Sequence, residues 1–434
     1  MKNRPGIHFA TNTLSFISYL FIYFWEVRTT EYYGIDRLRA LLSAKAVRVK
    51  LRYDFYDMKN TFFADSTIIP SDFRTLENVL GWCAKAVDSL TGRLVFDGFL
   101  DDDFYINEIF GRNNSDILYR SAINDALIGS CSFVYISEGE DKFPRLQVID
   151  GGSAAGIIDP TTGLLREGYA VLERDIQPLG TGLPIVEAYF TAGRTQIIRQ
   201  GKPAETYASK APYALLVPMV FKPNARRPLG HSRITRACMS LMRQAARTLW
   251  RSEVSAEFYS FPQKYILGTN EDIEFDNRRA TITSFLKIDK DEDGDRPTIG
   301  QFQQQSMLPY TEQVKMFASA FAGETDLTLD DLGFSTANPS TAEAWEASHE
   351  NLANTVRDAQ KVFGSCFKNV GYLAACLRDG QAYDRGMMSG ITPEWLPPPL
   401  SPSRLSALGD AVNKLQQAFP DYFDERKLHH LTGL

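Results

Sequence analysis

The sequence predicts a mainly helical α+β protein, and three observations carry that expectation. Apolar residues recur at helical spacing near both ends of the chain and through its middle. Between Cys131 and Phe221 the pattern changes to short strand-like runs separated by turn signals such as Pro160-Thr-Thr-Gly163. At 434 residues, 44% hydrophobic and 23% charged, the chain has the composition of an ordinary soluble protein and room for a large core.

Residues 1–30 stand apart. The run from Leu14 to Trp25 is apolar, but its twelve residues are too few to span a bilayer as a helix, and no small-residue cleavage site follows it. It is expected to be an extension that packs on the body or stays disordered. Tyr32, Ile35, Leu38, Leu41 and Leu42 then mark a first helical stripe, and Pro70-Ser71-Asp72 opens a second helix carrying Phe73, Leu76, Val79, Leu80, Cys83 and Val87. Further helices are expected from about 102 to 109 and from 115 to 128, the latter capped by Gly129. Strands are expected at 131–136, 145–149, 169–173, 185–191, 194–199 and 215–221.

Residues 232–260 contain no Gly or Pro and predict a single helix about 43 Å long. Arg233, Arg236, Arg243, Arg247 and Arg251 share about 80° of its circumference, with Cys238, Leu241, Met242, Ala245, Leu249 and Ala256 opposite. Such a row can meet phosphates, pair with acids of a neighbouring chain, or be a solvated face. The few large apolar residues suggest packing against copies of itself rather than in a thick core. A mixed segment follows, with strands at 264–267, 281–288 and 298–302, and then a helix from Pro309 with Tyr310, Val314, Phe317 and Phe321 on one face.

After a loop over 327–338, Ser340 and Glu343 form a capping box behind Pro339. Trp345, Leu352, Val356, Ala359 and Phe363 then align on a long helix reaching about Leu377. The proline-rich segment 392–402 predicts a linker. A last helix over 403–419 aligns Leu405, Leu408, Val412 and Leu415.

Tests for chemistry return little. Asp289-Lys-Asp291-Glu-Asp293-Gly294 matches the first half of a calcium loop, but Gly300 stands where the bidentate Glu is required, so a solvated acidic turn is expected. Among the five histidines, His349 is expected at the surface, and His429-His430 lack a third ligand nearby. Neither a nucleophile elbow nor a P-loop is present. Gly151-Gly-Ser-Ala-Ala-Gly156 invites a phosphate-loop reading but lacks the strand, G-x-G-x-x-G and helix order. The five cysteines are widely spaced without a C-x-x-C pair, as buried free thiols are. A net charge of −6 disfavours a tight, sequence-reading grip on DNA while suiting a polymer that slides past.

An ordered series of motifs resembles the portal proteins of long-tailed (siphophage-type) bacteriophages. They are Glu31-Tyr-Tyr-Gly34; Gly111-Arg-Asn-Asn-Ser-Asp116 leading into Asp125-Ala-Leu-Ile-Gly-Ser-Cys-Ser-Phe-Val134; Pro228-Leu-Gly-His-Ser-Arg-Ile234; Phe261-Pro-Gln-Lys-Tyr-Ile-Leu-Gly268; Asn338-Pro-Ser-Thr-Ala-Glu-Ala344; and Trp395-Leu-Pro-Pro-Pro-Leu-Ser401. The specificity lies in their order and not in any single one.

The resemblance implies a ring, a dodecamer, of subunits with wing (31–231), stem (232–260 and 307–326), clip (261–306), tunnel loop (327–340), wing helix (341–380), linker (381–402) and crown (403–434). It implies a passive channel at a capsid vertex for packaging and ejecting double-stranded DNA without reading its sequence. Partners would be the terminase large subunit, a head–tail adaptor, and the major capsid and scaffolding proteins. The protein would sit in the virion, and in host cytoplasm during assembly, with no membrane role, cofactor, metal or enzymatic activity. Leu329, Phe334, Ser335, Thr336 and Asn338 would face DNA. Arg236, Arg243, Arg247 and Arg251 would meet DNA or a neighbouring subunit, and Asp289, Asp291 and Asp293 would lie at the clip's partner interface. Competing readings are another head–tail connector or minor capsid protein, or a nuclease built on Asp101-Asp-Asp103 or the acidic turn at 289–295.

Overall fold

In the computed structural model, residues 32–60, 78–100, 102–139, 141, 143–175, 182–260, 264–267, 298–301, 306–334, 347–397 and 402–418 are described. The first helix, α1 (Ile35–Tyr56), is longer than its leading stripe suggests. Its start is fixed by tertiary contact: the Glu167 carboxylate accepts hydrogen bonds from the Tyr33 and Gly34 amides, both at 2.7 Å. A carboxylate there satisfies donors that a helix N-terminus leaves unpaired. Helix α2 (Trp82–Thr91) begins only after Val79 and Leu80, which precede it in irregular chain. Residues 61–77, where the sequence places that helix's opening, lie outside the described residues.

Strand β1 (Val95–Leu100) follows and was not expected. Its apolar residues break strict alternation because the register shifts between Phe96 and Gly98, so that Phe96 and Phe99 are both buried. Helix α3 (Ile106–Arg112) is capped from four residues upstream, where the Asp102 carboxylate accepts the Ile106 and Asn107 amides at 2.6 and 2.8 Å. Helix α4 (Ser115–Gly129) agrees with the sequence reading.

The β block forms two sheets. Strands β2 (Cys131–Glu138), β3 (Pro144–Ile149) and β9 (Leu216–Val220) pair antiparallel in the order β3-β2-β9. The other five run consecutively as β4 (Ala154–Ile158), β5 (Leu165–Arg174), β6 (Pro184–Thr191), β7 (Arg194–Arg199) and β8 (Glu205–Ala208). Strands β4 and β8 were not foreseen. The glycine-rich run instead makes the turn into β4: a Cβ on Gly151 would lie 2.2 Å from the Cys131 carbonyl oxygen. Close backbone approach accounts for this glycine.

Helix α5 (Arg236–Ser260), strands β10 (Lys264–Leu267) and β11 (Thr298–Gln301), and helix α6 (Leu308–Thr325) follow, with β10 and β11 antiparallel. Helix α7 (Glu350–Asp379) buries Leu352, Val356, Ala359 and Phe363, the stripe expected of it. The capping box at Ser340 and Glu343, and Trp345, lie outside the described residues. Where the sequence suggests a linker, Thr392–Leu396 forms strand β12 and pairs with β1. Its proline is tolerated because a two-stranded sheet is all edge. Helix α8 (Pro402–Ala418) ends the described chain, with Val412 buried and Leu415 exposed.

One core cluster links these parts. Phe96 stacks on Phe367 of α7 at 4.7 Å and meets Tyr119 edge-on at 4.7 Å and Trp395 at 4.9 Å. These rings join β1, α4, α7 and β12, and each such pair adds about 0.5–1.5 kcal/mol beyond area burial. Helix α7 crosses α3 so closely that a Cβ on Gly371 would lie 2.2 Å from Ile106 Cγ2.

Candidate functional site

Helices α5 and α6 pack side by side. Met242, Ala245, Trp250 and Val254 of α5 and Val314, Phe317 and Phe321 of α6 are buried. Two polar links run between the helices, Thr248 Oγ1 to Gln313 Oε1 at 3.3 Å and Ser255 Oγ with Tyr310 Oη at 2.8 Å. Arg236, Arg243, Arg247 and Arg251 are exposed along α5, and buried Trp250 and Val254 lie on the same face between and beyond them. Arg243 also lies 5.0 Å from the Phe55 ring centre, which holds its stem against the end of α1.

The start of α5 corrects the sequence reading in two ways. The helix begins at Arg236, not Ser232. The Thr235 hydroxyl accepts the Cys238 amide at 3.2 Å, the bond of an N-cap, and this Thr was the local signal that the reading missed. Ser232 instead donates its hydroxyl to the Ile128 carbonyl at 2.7 Å, tying the chain to the end of α4. Arg233 therefore leaves the arginine row and is 4% exposed.

The buried Arg233 guanidinium gathers four segments. Its Nη1 is 3.2 Å from Asp326 Oδ2, Nη2 donates to the Thr325 carbonyl, and Nε reaches the Ala86 carbonyl at 3.5 Å. Thr355 of α7 donates to the same Asp326 oxygen at 3.0 Å. Burial lowers the Arg233 pKa despite the Asp326 carboxylate beside it. Breaking such a pair from one side strands a buried charge, at a cost of about 3–5 kcal/mol. The cluster fixes where the α5–α6 pair meets the body.

Directly after α6 the chain makes a short 3-10 turn at Asp330–Leu332. Asp331 accepts both the amide and the hydroxyl of Thr328, each at 2.9 Å, and faces His349 Nε2 at 3.4 Å. Burial alone raises the Asp331 pKa, but the Thr328 bonds and the nearby His349 and Lys85 overcome it and leave the carboxyl below its ordinary range. His349 is thus buried, at 6% exposure, where the sequence suggested a surface position. The reason is tertiary: the turn after α6 folds back over it.

Of the residues assigned to a DNA-facing loop, Leu329 and Phe334 are half-buried against the core, and Phe334 meets the Trp82 ring edge-on at 6.4 Å. Ser335, Thr336 and Asn338 lie outside the described residues. So do Asp289, Asp291 and Asp293, together with the strand expected at 281–288. All five cysteines are buried free thiols. Within the described residues, no helix is long and apolar enough to cross a membrane. Chemically, the exposed α5 row offers guanidinium groups, which bind phosphate oxygens without distinguishing bases.

A mixed body of helices and small sheets is joined by a buried ion pair to a helix pair that carries an arginine row. No family profile matches the sequence. Two curated proteins do. The chain is 26% identical over 387 residues to the portal protein of Mycobacterium phage L5, covering 83% of this chain and 77% of that protein. It is 26% identical over 393 residues to the portal protein of Mycobacterium phage D29, with the same coverage of each. Among solved structures, a chain of the virion of a native gene transfer agent particle aligns with 12% identity and a TM-score of 0.42, over 81% of this chain and 89% of that one. A chain from the neck of the empty particle aligns with 13% identity and a TM-score of 0.43, over 86% and 95%. The chain resembles the portal proteins of tailed bacteriophages across most of its length, as its motifs indicate.

Proposed function

We propose that this protein is the subunit of a portal ring, the channel at one capsid vertex through which double-stranded DNA enters and leaves the head. The observation that supports this most is the alignment of 83% of the chain with two phage portal proteins. The exposed arginine row on α5 and the net charge of −6 are in keeping with a wall that touches phosphates while the whole subunit does not grip DNA.

In this reading α5 and α6 are the stem and residues 261–306 the clip, where Asp289, Asp291 and Asp293 meet the terminase large subunit and the head–tail adaptor. The loop over 327–340 is rooted by Leu329 and Phe334 and presents Ser335, Thr336 and Asn338 to DNA. Residues 31–231 and helix α7 form the wing, which contacts capsid and scaffolding proteins, and residues 403–434 form the crown. The ring has twelve subunits, and ATP hydrolysis belongs to the separate terminase motor.

Electron microscopy of the purified full chain tests the proposal. Rings with a central hole wide enough for duplex DNA are expected. A monomer at every concentration, or metal-dependent DNA cleavage lost in Asp291→Ala, overturns it. Shortening the loop over 327–338 is expected to block packaging while rings still assemble.

A further inference from the structure

We propose that the outer face of helix α1 is a docking seam for a second copy of this chain, whose receiving surface is the acidic patch around Asp97 and Asp116. The proposal rests on the ring reading and specifies one of its contacts.

Helix α1 is apolar on two sides. Leu38, Leu42 and Val49 are buried against the body. On the opposite side Ala40, Ala44, Val47 and Leu51, spaced four, three and four apart, share about 60° of arc and are all exposed, Val47 at 73%. That spacing is the seam of a helix that expects a partner, and the two alanines permit close approach. Large exposed apolar residues concentrate here, since Leu41, Leu51 and Met58 join Val47 on α1 and its C-terminal flank. An apolar helix face rimmed by polar residues marks an interaction surface.

The rim is basic. Arg48 and Lys50 are exposed and pair with no carboxylate among the described residues, and Arg37 only stacks on Tyr33 at 4.0 Å. Burial, and behind it the charges of Arg48 and Arg227, lowers the pKa of neighbouring Arg52. Elsewhere on the same chain lies a patch of matching chemistry. Asp97 of β1 and Asp116 of α4 are exposed and pair with no cation among the described residues, beside exposed Val95 and Ile117. Burial, and behind it Asp116, Asp102 and Asp97, raises the pKa of Tyr119 beneath them. One chain therefore carries an apolar seam with a mainly positive rim, where Asp36 is paired to Arg39 at 3.3 Å, and an apolar patch flanked by Asp97 and Asp116, with exposed Arg120 one turn beyond Asp116. Two unlike patches on one subunit make a head-to-tail contact, which closes into a ring when the rotation permits.

Mass photometry of the full chain, with thermal unfolding of each variant as a folding control, tests the proposal. Arg48→Glu with Lys50→Glu is expected to raise the concentration at which rings assemble by about tenfold or more. Asp97→Lys with Asp116→Lys is expected to do the same, and mixing the two variants to restore assembly. Val47→Cys is expected to react with a maleimide in the monomer and to be protected in the ring. Wild-type assembly matched by both reversal variants, or no restoration on mixing, overturns the seam and leaves the ring standing. Wild type that never assembles overturns the ring itself. Protection of Val47→Cys in the monomer that vanishes when residues 1–30 are removed assigns the face to the chain's own N-terminal segment and overturns the proposal.

Discussion

Arg233 and Asp326 meet at 3.2 Å, buried at the point where α5 and α6 join the rest of the protein. They lie 93 residues apart in sequence, and Asp326 holds a left-handed backbone at φ 53° as it ends α6. Asn tolerates that conformation, so Asp326→Asn removes the charge without adding backbone strain. It is expected to cost about 2–4 kcal/mol, measured by urea unfolding, because the guanidinium stays buried without its anion. Arg233→Met combined with Asp326→Asn is expected to recover part of that loss, since no unpaired charge is left.

Asp125 gives a pH signature. Its carboxylate accepts the Tyr53 hydroxyl at 2.8 Å, yet burial pushes its pKa up from 3.8 to about 6. A raised carboxyl pKa means that the folded state holds its proton more tightly than the unfolded state. The associated stability is fully present below about pH 4 and is lost as pH rises through about 6. Asp125→Asn keeps an oxygen acceptor for Tyr53 and is expected to flatten this part of the stability–pH curve. The gain at pH 7 is expected to approach about 3 kcal/mol by thermal unfolding at a series of pH values.

The arginine row offers a test that reads stability and DNA affinity separately. Replacing Arg236 and Arg251 by Gln is expected to change monomer stability by no more than about 0.5 kcal/mol per site, and Arg243→Gln to cost about 0.5–1 kcal/mol through its lost contact with the Phe55 ring. The affinity of assembled rings for duplex DNA is expected to fall. The salt dependence of that affinity should drop by about 0.9 in log–log slope for each arginine that meets a phosphate. If the rings fail to form instead, the row pairs subunits, and its place is between copies.

Gly371 tests the crossing of α7 over α3. An added Cβ meets Ile106 Cγ2 at 2.2 Å and Phe110 Cε2 at 3.1 Å. Ala is the better helix former in isolation, by about 1 kcal/mol. Gly371→Ala is nevertheless expected to destabilise the protein by about 1–3 kcal/mol through overpacking, and Gly371→Ala with Ile106→Val to recover some of it.

The sequence by itself indicated that the helices exist, though not where α5 starts, and indicated most strands of the β block. Leu352, Val356, Ala359 and Phe363 declared the buried face of α7, and Val314, Phe317 and Phe321 that of α6, because period and burial are the same fact in a helix packed on one side. The motif order likewise carried the likeness to portal proteins. Only the tertiary structure decided what depended on distant partners. Strand β1 pairs with β12 almost three hundred residues later, so neither segment announces itself locally. Arg233 and His349 looked exposed by type and spacing, but each is buried because a remote acid, Asp326 or Asp331, comes to meet it. A charge is excluded from a core only until its counter-charge arrives, and local sequence does not hold that information. The outer face of α1 shows the same limit: Ala40, Ala44, Val47 and Leu51 form an exposed apolar row, and what can meet it depends on surfaces carried elsewhere on the fold.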